Sequence, residues 1–227
     1  MNPQISVIIP ALDEAEVIGL ALSTVVETPE IELIVVDGGS RDATAEIARS
    51  YGAKVLTSPP GRARQMNAGA KVAAGECLLF LHADTRLPAQ FAGEVRRILA
   101  VPGVIAGAFE LRIDGTGWGL RLVERAANLR SRLLQLPYGD QGLFLRAAQF
   151  HALGGYPEIA FLEDFELLRR LRRLGKIGIA PQSVLTSARR WESLGVLRAM
   201  LLNQFFLLAY LLGTPPRHIA HWYYRQS

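Results

Sequence analysis

Short apolar runs alternate with amphipathic segments along the first 81 residues of the chain. The longest runs are rich in Val, Ile and Leu and have the length of a strand, which predicts buried β-strands. Between the runs, apolar residues recur every three or four positions, which predicts helices. Because strands that alternate with helices form parallel sheets through right-handed crossovers, the pattern predicts an α/β fold. The predicted strands are 5–9, 32–36, 54–57 and 77–81, and the predicted helices are 14–26, 43–51 and 61–74.

The spacing of apolar positions becomes less regular after residue 84. No repeat or low-complexity linker divides the 227 residues, so we expect one domain over 1–192, followed by an apolar helix and a tail over 193–227. Ser40 is the expected N-cap of the helix that ends before Gly52. The later predicted elements are helices over 87–99, 118–134 and 162–174 and strands over 104–113 and 142–146.

Composition narrows the classes of protein. Half of the residues are hydrophobic and 20% are charged, which excludes a disordered chain. The net charge is only +4, and no finger, helix-turn-helix pattern or basic stripe with aromatics is present, so we expect no nucleic-acid partner. The single cysteine, Cys77, excludes an intrachain disulfide. The N-terminus lacks a basic region before its first strand, which predicts a cytoplasmic protein without a signal peptide.

Residues 194–213 are strongly apolar, but Arg198, Asn203 and Gln204 interrupt them. Three interpretations stay open: a core or homodimer-interface helix, a helix that lies on the inner face of a membrane, and a membrane span, for which the uninterrupted stretches are short. The second interpretation would suit a lipid acceptor or another acceptor near the membrane. A basic and aromatic tail also supports the second interpretation. Its residues are Arg217, His218, His221, Trp222, Tyr223, Tyr224 and Arg225.

Acidic residues follow several of the predicted strands. Asp37 ends the second strand and Asp84 follows the fourth, and ligands of α/β sheets bind at the ends of parallel strands. A carboxylate at Asp84 suits a hard cation that neutralises a diphosphate. Asp37 can accept a hydrogen bond from a base N–H, and Gly38 allows a close backbone approach. Capping of the following helix is the alternative role for Asp37.

Taken in order, the motifs resemble those of family 2 glycosyltransferases with the GT-A fold. They are Pro-Ala-Leu-Asp-Glu at 10–14, Asp-Gly-Gly at 37–39, His-Ala-Asp at 82–84, Gly-Asp-Gln-Gly at 139–142 and Glu-Asp at 163–164. The resemblance covers about residues 5–192. It implies a mixed, mainly parallel sheet flanked by helices, and transfer of a hexosyl group from a nucleoside-diphosphate sugar to an acceptor hydroxyl with inversion. UDP is the commonest nucleotide of such donors. The motifs look most like a short bacterial subgroup with radical-SAM and selenoprotein-like neighbours, some members of which are assigned to arsenosugar synthesis.

The resemblance also implies roles for individual residues. Asp37 would contact the base, Asp84 would hold Mn²⁺ or Mg²⁺, and Asp164 would be the general base that deprotonates the acceptor. Two positions depart from the family pattern. Asp13 stands where Asn is common, and His82 replaces the first Asp of the Asp-x-Asp motif, which removes a negative charge and favours Mn²⁺. A purely structural histidine at the end of a strand is the alternative for His82.

Other candidates surround these residues. Arg62 and Arg64 would reach phosphates, and Arg190 and Trp191 belong to a box in which Ser187 replaces the Gln of processive members. In full, the catalytic candidates are Asp164 and Glu163, the metal candidates are Asp84 and His82, and the nucleotide and donor candidates are Pro10, Ala11, Asp13, Glu14, Asp37, Gly38, Arg62, Arg64, Asn67, His82, Ala83, Asp140, Gln141, Arg190 and Trp191.

The sequence gives less support to three rival functions. A nucleotidyltransferase would need a Gly-rich loop after the first strand, and a dinucleotide-dependent oxidoreductase would need Gly-x-Gly-x-x-Gly there. A non-catalytic sugar-nucleotide binder or membrane-associated scaffold stays open because of His82.

Overall fold

The computed structural model describes residues 4–26, 28 and 30–224, without the side chain of Tyr224. The predicted tail residue Arg225 lies outside the described residues. The strands are β1 (Ile5–Ala11), β2 (Ile31–Asp37), β3 (Lys54–Thr57), β4 (Cys77–Phe80), β5 (Thr85–Arg86), β6 (Val104–Asp114), β7 (Leu143–Arg146) and β8 (Lys176–Ser187). The helices are α1 (Ile18–Val26), α2 (Thr44–Ser50), α3 (Arg62–Val72), α4 (Phe91–Leu99), α5 (Trp118–Leu134), α6 (Ala147–Ala152), α7 (Glu163–Leu171), α8 (Arg189–Leu194), α9 (Val196–Leu211) and α10 (Pro216–Tyr224), with a 3-10 turn at Gly139–Gln141.

One mixed sheet of eight strands, in the order β3-β2-β1-β4-β7-β6-β8-β5, confirms the predicted α/β fold. The first four strands are parallel, and Ala11 pairs with Asp37 at their carboxyl edge. Strand β1 was expected to stop before Pro10, but it continues to Ala11. Its pairing with β4 ends at Ile8, so the missing N–H of Pro10 breaks no ladder on that side.

The second half of the sheet contains two strands that the sequence did not predict. Strand β8 runs parallel to β6 over most of its length, with a register shift between Phe109 and Glu110. Its apolar alternation is broken by Gly178 and Pro181, so it forms through pairing with β6 and not through a strong local preference. Strand β5 is only two residues long and pairs antiparallel with β8.

The predicted cap of α2 is wrong, and α1 and α4 each begin four residues later than predicted. Ser40 does not cap α2, which begins after Ala43 without a side-chain cap. The Ser40 hydroxyl instead donates to the Asp37 carboxylate at 2.5 Å. The predicted tail is also helical, because residues from Pro216 onward form α10.

Helices bury both faces of the sheet. Side chains of α1, α4 and α5 pack with Val7 and Ile9 on one face, and side chains of α3, α6 and α7 pack with Ile8 on the other. Burial of both faces explains why the first strands read as continuous apolar runs. The carboxyl edge of the parallel strands is left for the loops that carry the acidic motifs.

Helices α9 and α10 form a separate small cluster through Phe206, Ala209 and Ile219, with Phe161 packed against it. Among the described residues, no helix combines the length and the apolar character that a membrane crossing requires.

Candidate active site

A cavity of about 250 Å³ brings together eight of the residues that the sequence singled out. We call it the acidic cavity, because four carboxylates line it. The residues that meet there come from segments far apart in the chain, between the start of α3 and α10. The predicted residues are Arg62, His82, Asp84, Asp140, Glu163, Asp164, Arg190 and Trp191, and they are joined by Tyr138, Gly139, Phe161, Leu162, Phe165, Thr186, Ser187, Asn203, Leu207 and Tyr223.

Asp164 lies in the first turn of α7, which Leu162 precedes in a left-handed conformation at φ 64°. Burial, and then the neighbouring Glu163 carboxylate, raise the pKa of Asp164 to about 8. The Tyr156 hydroxyl lies beside the Asp164 carboxyl, but its geometry falls short of a regular hydrogen bond. A carboxyl group with a pKa near neutrality can take up and release a proton at physiological pH.

Gly139 separates Asp164 from His82. A Cβ atom built on Gly139 would lie 2.2 Å from Asp164 Oδ2 and 3.0 Å from His82 Nε2. A side chain at position 139 would therefore displace the Asp164 carboxyl. The sequence indicated Asp140 and Gln141 of this motif as donor contacts, but not the close approach of Gly139 to Asp164.

His82 is an uncharged imidazole at neutral pH. Burial, and then the Arg62 guanidinium, lower the pKa of His82 to about 4. Its Nε2 is buried and has no hydrogen-bond partner among the described residues. Buried polar atoms without a partner are uncommon, so this nitrogen is available to a ligand in the acidic cavity.

Asp84 presents a partly exposed carboxylate to the acidic cavity. Within the described part of the chain, no three His, Cys, Asp or Glu side chains converge on a possible metal position. Mg²⁺ and similar ions are often held by one or two carboxylates together with substrate phosphates. The residues present fit a cation of that kind, with Asp84 as the protein ligand and His82 Nε2 as a second polar contact.

Arg189 contacts Asp84, although the sequence interpretation did not single it out. Its Nη2 lies 2.7 Å from Glu14 Oε2 and 3.6 Å from Asp84 Oδ2. Burial is the main cause that raises the pKa of Glu14, and Arg189 opposes it. Position 189 lies inside the box with Arg190 and Trp191, which was the only sequence signal for it.

A second cavity of about 430 Å³ adjoins the acidic cavity. We call it the loop cavity, because residues 158–161 cover one side. Arg62, Phe161 and Glu163 line both cavities, and the Arg62 Nη1 to Glu163 Oε1 distance is 4.0 Å. The remaining walls are Leu12, Pro60, Gly61, Ala63, Arg64, Glu158, Ile159 and Ala160. Arg64 pairs with Glu158 at 3.4 Å.

Arg190 is held from two sides by the C-terminal helices. Its guanidinium carbon lies 4.1 Å from the centre of the Tyr223 ring, and its Nη2 donates to Asn203 Oδ1 at 3.2 Å. Burial, and then Arg62, lower the pKa of Arg190. Two guanidinium groups near one cavity suit an anionic ligand.

The predicted base contact, Asp37, is buried at the end of β2. Its carboxylate accepts from Ser40 N at 3.2 Å and from the Ser40 hydroxyl, so it caps a turn and not the following helix. Gln65, which the sequence interpretation missed, donates to Ala11 O at 2.9 Å and to Val36 O at 2.7 Å. A Cβ on Gly38 would lie 3.2 Å from Gln65 Nε2.

Several candidates lie outside the two cavities. Asn67 exchanges hydrogen bonds with the backbone of Tyr156, at 2.9 Å in each direction. Gln141 is fully buried and donates to Phe109 O at 2.9 Å. Asp13 adopts φ 54°, which Asn and Asp tolerate better than most residues, and it accepts from Arg41 N at 2.7 Å. Pro10, Ala11 and Ala83 are buried in or beside the strands, and Glu14 pairs with Arg189.

Solved structures resemble this fold. The mannosyltransferase PcManGT from Pyrobaculum calidifontis, in complex with GDP-Man and Mn²⁺, gives a TM-score of 0.68 at 23% identity, over 97% of this chain and 69% of that chain. TarS from S. aureus, in complex with UDP, gives 0.66 at 18% identity, over 82% and 60%. Glucosyl-3-phosphoglycerate synthase from Mycobacterium tuberculosis, with Mn²⁺ and UDP-glucose, gives 0.59 at 21%, over 80% and 70%. These likenesses confirm the GT-A fold.

Sequence relatives agree with the structural ones. A PGL/p-HBAD biosynthesis glycosyltransferase of Mycobacterium bovis is 30% identical over 169 residues, which cover 68% of this chain. A relative of the same description in Mycobacterium tuberculosis matches equally well. The match covers 63% of the length of these relatives. A family model described as Glycosyl transferase family 2 matches residues 6–149, which is more than half of the chain. The chain therefore belongs to glycosyl transferase family 2.

Proposed function

We propose that the protein is an inverting glycosyltransferase that moves a hexosyl group from a nucleoside-diphosphate sugar to an acceptor hydroxyl. The observation that carries the proposal is the acidic cavity, where Asp84, Asp164 and Arg190 meet from three distant segments. Asp164 takes the proton of the acceptor hydroxyl. The acceptor oxygen forms a bond to the anomeric carbon as the bond to the diphosphate breaks, so one displacement inverts that carbon.

A divalent cation at Asp84, Mn²⁺ or Mg²⁺, would neutralise charge on the leaving diphosphate. Mn²⁺ is present in two structural neighbours, PcManGT and glucosyl-3-phosphoglycerate synthase. His82 remains neutral, accepts a hydrogen bond through Nε2 or contacts the cation, and adds no charge of its own. Asp140, which lines the same cavity, lies where it can accept hydrogen bonds from sugar hydroxyls.

We assign the donor to the two adjoining cavities. Arg62 lines both and contacts the diphosphate. The nucleoside extends toward Leu12 and Asp37, and the sugar lies in the acidic cavity. The neighbours bind UDP, UDP-GlcNAc and GDP-Man. We propose UDP as the nucleotide and membership of the arsenosugar-type subgroup.

The acceptor enters from the side of the C-terminal helices. Asn203, Leu207 and Tyr223 line the acidic cavity from α9 and α10. This supports a division into a domain of residues 1–192 and an appended segment of residues 193–227, whose described part completes the site. On the opposite side, α9 and the residue that follows it expose five large apolar side chains at spacings of three or four residues. We call this set the α9 stripe: Leu197, Leu201, Phe205, Leu208 and Leu212.

The α9 stripe suits the inner face of an anionic membrane. Trp222 extends it, with its ring centre 6.1 Å from that of Phe205. No acidic residue follows Glu192 in the sequence, whereas Arg198 and Arg217 are exposed near the stripe. These arginines carry the charge that anionic lipid head groups attract. We therefore propose a peripheral membrane contact on the cytoplasmic side and a lipid acceptor, with a small soluble acceptor as the alternative.

Calorimetric titration with UDP and with GDP, each with Mn²⁺ and with EDTA, tests the donor site. We expect cation-dependent binding of one nucleotide. Release of nucleotide from the matching sugar donors then measures turnover, with water as the default acceptor. Asp164→Asn should keep donor binding and lose turnover, whereas Asp114→Asn, on an exposed carboxylate at the end of β6, should keep both.

Normal turnover by Asp164→Asn would show that the assigned base is wrong. Folded protein that binds neither nucleotide would instead favour a non-catalytic scaffold.

A further inference from the structure

The Arg189 side chain places a positive charge next to the Asp84 carboxylate. Its Nη2 lies 3.6 Å from Asp84 Oδ2 and 2.7 Å from Glu14 Oε2, so one guanidinium group bridges two carboxylates. The two partners lie 105 and 175 residues before it in the sequence. Both are partly exposed, at 26% and 27% of their side-chain area, so the contact is open to solvent.

Sheet pairing fixes this contact. Thr85 pairs with Thr186, and their hydroxyls lie 3.0 Å apart in a buried position. The next residue along β8, Ser187, donates its N–H to Asp84 O at 3.1 Å, and its hydroxyl accepts from Arg189 N at 3.2 Å. Arg189 therefore starts α8 at a set distance from Asp84, and its position does not depend on a flexible loop.

The positive charge of Arg189 opposes a second cation at the same carboxylate. A bare divalent ion at Asp84 meets one protein carboxylate that is already partly neutralised. A diphosphate changes this balance, because it brings several negative charges that can satisfy both the ion and the guanidinium group.

We propose that Arg189 is a positioning residue that makes cation binding at Asp84 depend on the donor diphosphate. Without the diphosphate, Arg189 holds Asp84 and Glu14 together and keeps the affinity for a free cation low. With the diphosphate, Arg189 turns toward its oxygens and Asp84 is released to the cation. The donor half of this inference rests on the proposed function, whereas the effect of Arg189 on a free cation does not.

Titration of the protein with Mn²⁺ alone, followed by electron paramagnetic resonance of the free ion, tests the first half. Arg189→Gln should bind Mn²⁺ about thirtyfold more tightly than the wild type, the effect of one unit charge on a divalent ion some 4 Å away in a solvated setting. Arg189→Lys keeps the charge and should remain near the wild type. Arg97→Gln removes a remote surface arginine that pairs with Glu94, and it should change nothing.

Titration with UDP and GDP, each with and without Mn²⁺, tests the second half. The factor by which nucleotide tightens Mn²⁺ binding should fall in Arg189→Gln, and the reciprocal factor must fall equally. Unchanged affinity of Arg189→Gln for Mn²⁺ alone would overturn the inference, whatever the nucleotides do. Absence of nucleotide binding by every variant would instead contradict the proposed function, and the comparison with Mn²⁺ alone would still decide the role of Arg189.

Discussion

The Asp164 carboxyl packs directly against the backbone of Gly139, so that a methyl group on Gly139 would lie 2.2 Å from Asp164 Oδ2. No Cβ atom tolerates such a contact, and the 3-10 turn at Gly139–Gln141 must stay close to α7. The position of the proposed base therefore depends on the absence of a side chain at Gly139.

Gly139→Ala should consequently displace Asp164 and lower turnover by about a hundredfold, the scale expected for a shift of about 1 Å in a catalytic group. Nucleotide binding should change much less. The matched control is Gly93→Ala in α4, where no atom lies within 4 Å of the added carbon. That variant should keep full turnover and gain about 0.5–1 kcal/mol of stability. Full turnover by Gly139→Ala would mean that the proposed base does not act from this position.

Protein stability should depend on the protonation of Asp164. The pKa of about 8 in the folded state lies above the ordinary value of about 4, so the folded protein keeps a proton that the unfolded chain has lost. The free energy of unfolding should therefore fall as the pH rises toward 8, by roughly 1 kcal/mol per pH unit above pH 7, and then level off. Urea unfolding without metal at pH 7, 8 and 9 measures this change.

Asp164→Asn should lose this dependence and be more stable than the wild type at pH 9. Asp114→Asn serves as the control and should keep the slope of the wild type. The measurements start at pH 7 to avoid a contribution from His82. Its pKa is about 4 in the folded state, so its protonation favours unfolding only below pH 6.5. Equal slopes for Asp164→Asn and the wild type would mean that Asp164 is ionised in the folded protein at pH 7.

Asn67 should contribute to stability and not to donor binding. Its side chain satisfies both the N–H and the carbonyl of Tyr156, each at 2.9 Å. Asn67→Ala should lower the free energy of unfolding by about 2 kcal/mol, because two backbone groups lose their partner. Asn67→Asp keeps the acceptor but turns an oxygen toward the Tyr156 carbonyl, so it should lose at least as much. Unchanged stability together with lost nucleotide affinity would restore the donor-binding role that the sequence predicted.

The membrane proposal predicts flotation with vesicles that contain anionic lipid. The wild type should float with such vesicles at low salt and sink at high salt, since exposed charges are screened. Replacement of both Leu201 and Leu208 by Glu should abolish flotation. Leu20→Glu changes an equally exposed leucine on α1 and should have no effect. A wild type that sinks under all conditions would contradict the proposal, and light scattering would then test a dimer through the same face.

The sequence predicted correctly those elements whose pattern lies within one short segment of the chain. Strand β3 and helix α5 have the predicted bounds, because an apolar run beside Gly52 and a long helical repeat are each readable within one segment. Asp84 and Asp164 were singled out because short acidic motifs follow a strand or begin a helix, and Asp140 because it belongs to the Gly-Asp-Gln-Gly motif before a strand. They meet in one cavity, as expected for residues at one edge of a sheet.

Patterns within one segment could not predict contacts between distant segments. Arg189 pairs with Glu14 across 175 positions, and nothing near either residue indicates the pair. Gln65 lies in the middle of a helix pattern and joins β1 to β2 only once the sheet has formed. Strand β8, with Gly178 and Pro181, depends on β6 in the same way.

The boundary of the family match has a consequence for how acceptor choice can change. The match ends at residue 149, before Asp164 and before the C-terminal helices that carry Asn203 and Tyr223. Recombination after that residue would keep Asp37, Arg62 and Asp84 and would replace the segments that carry Asp164 and Asn203. A chimaera of this chain with a relative, spliced near residue 149, should therefore inherit its nucleotide preference from the first parent and its acceptor from the second.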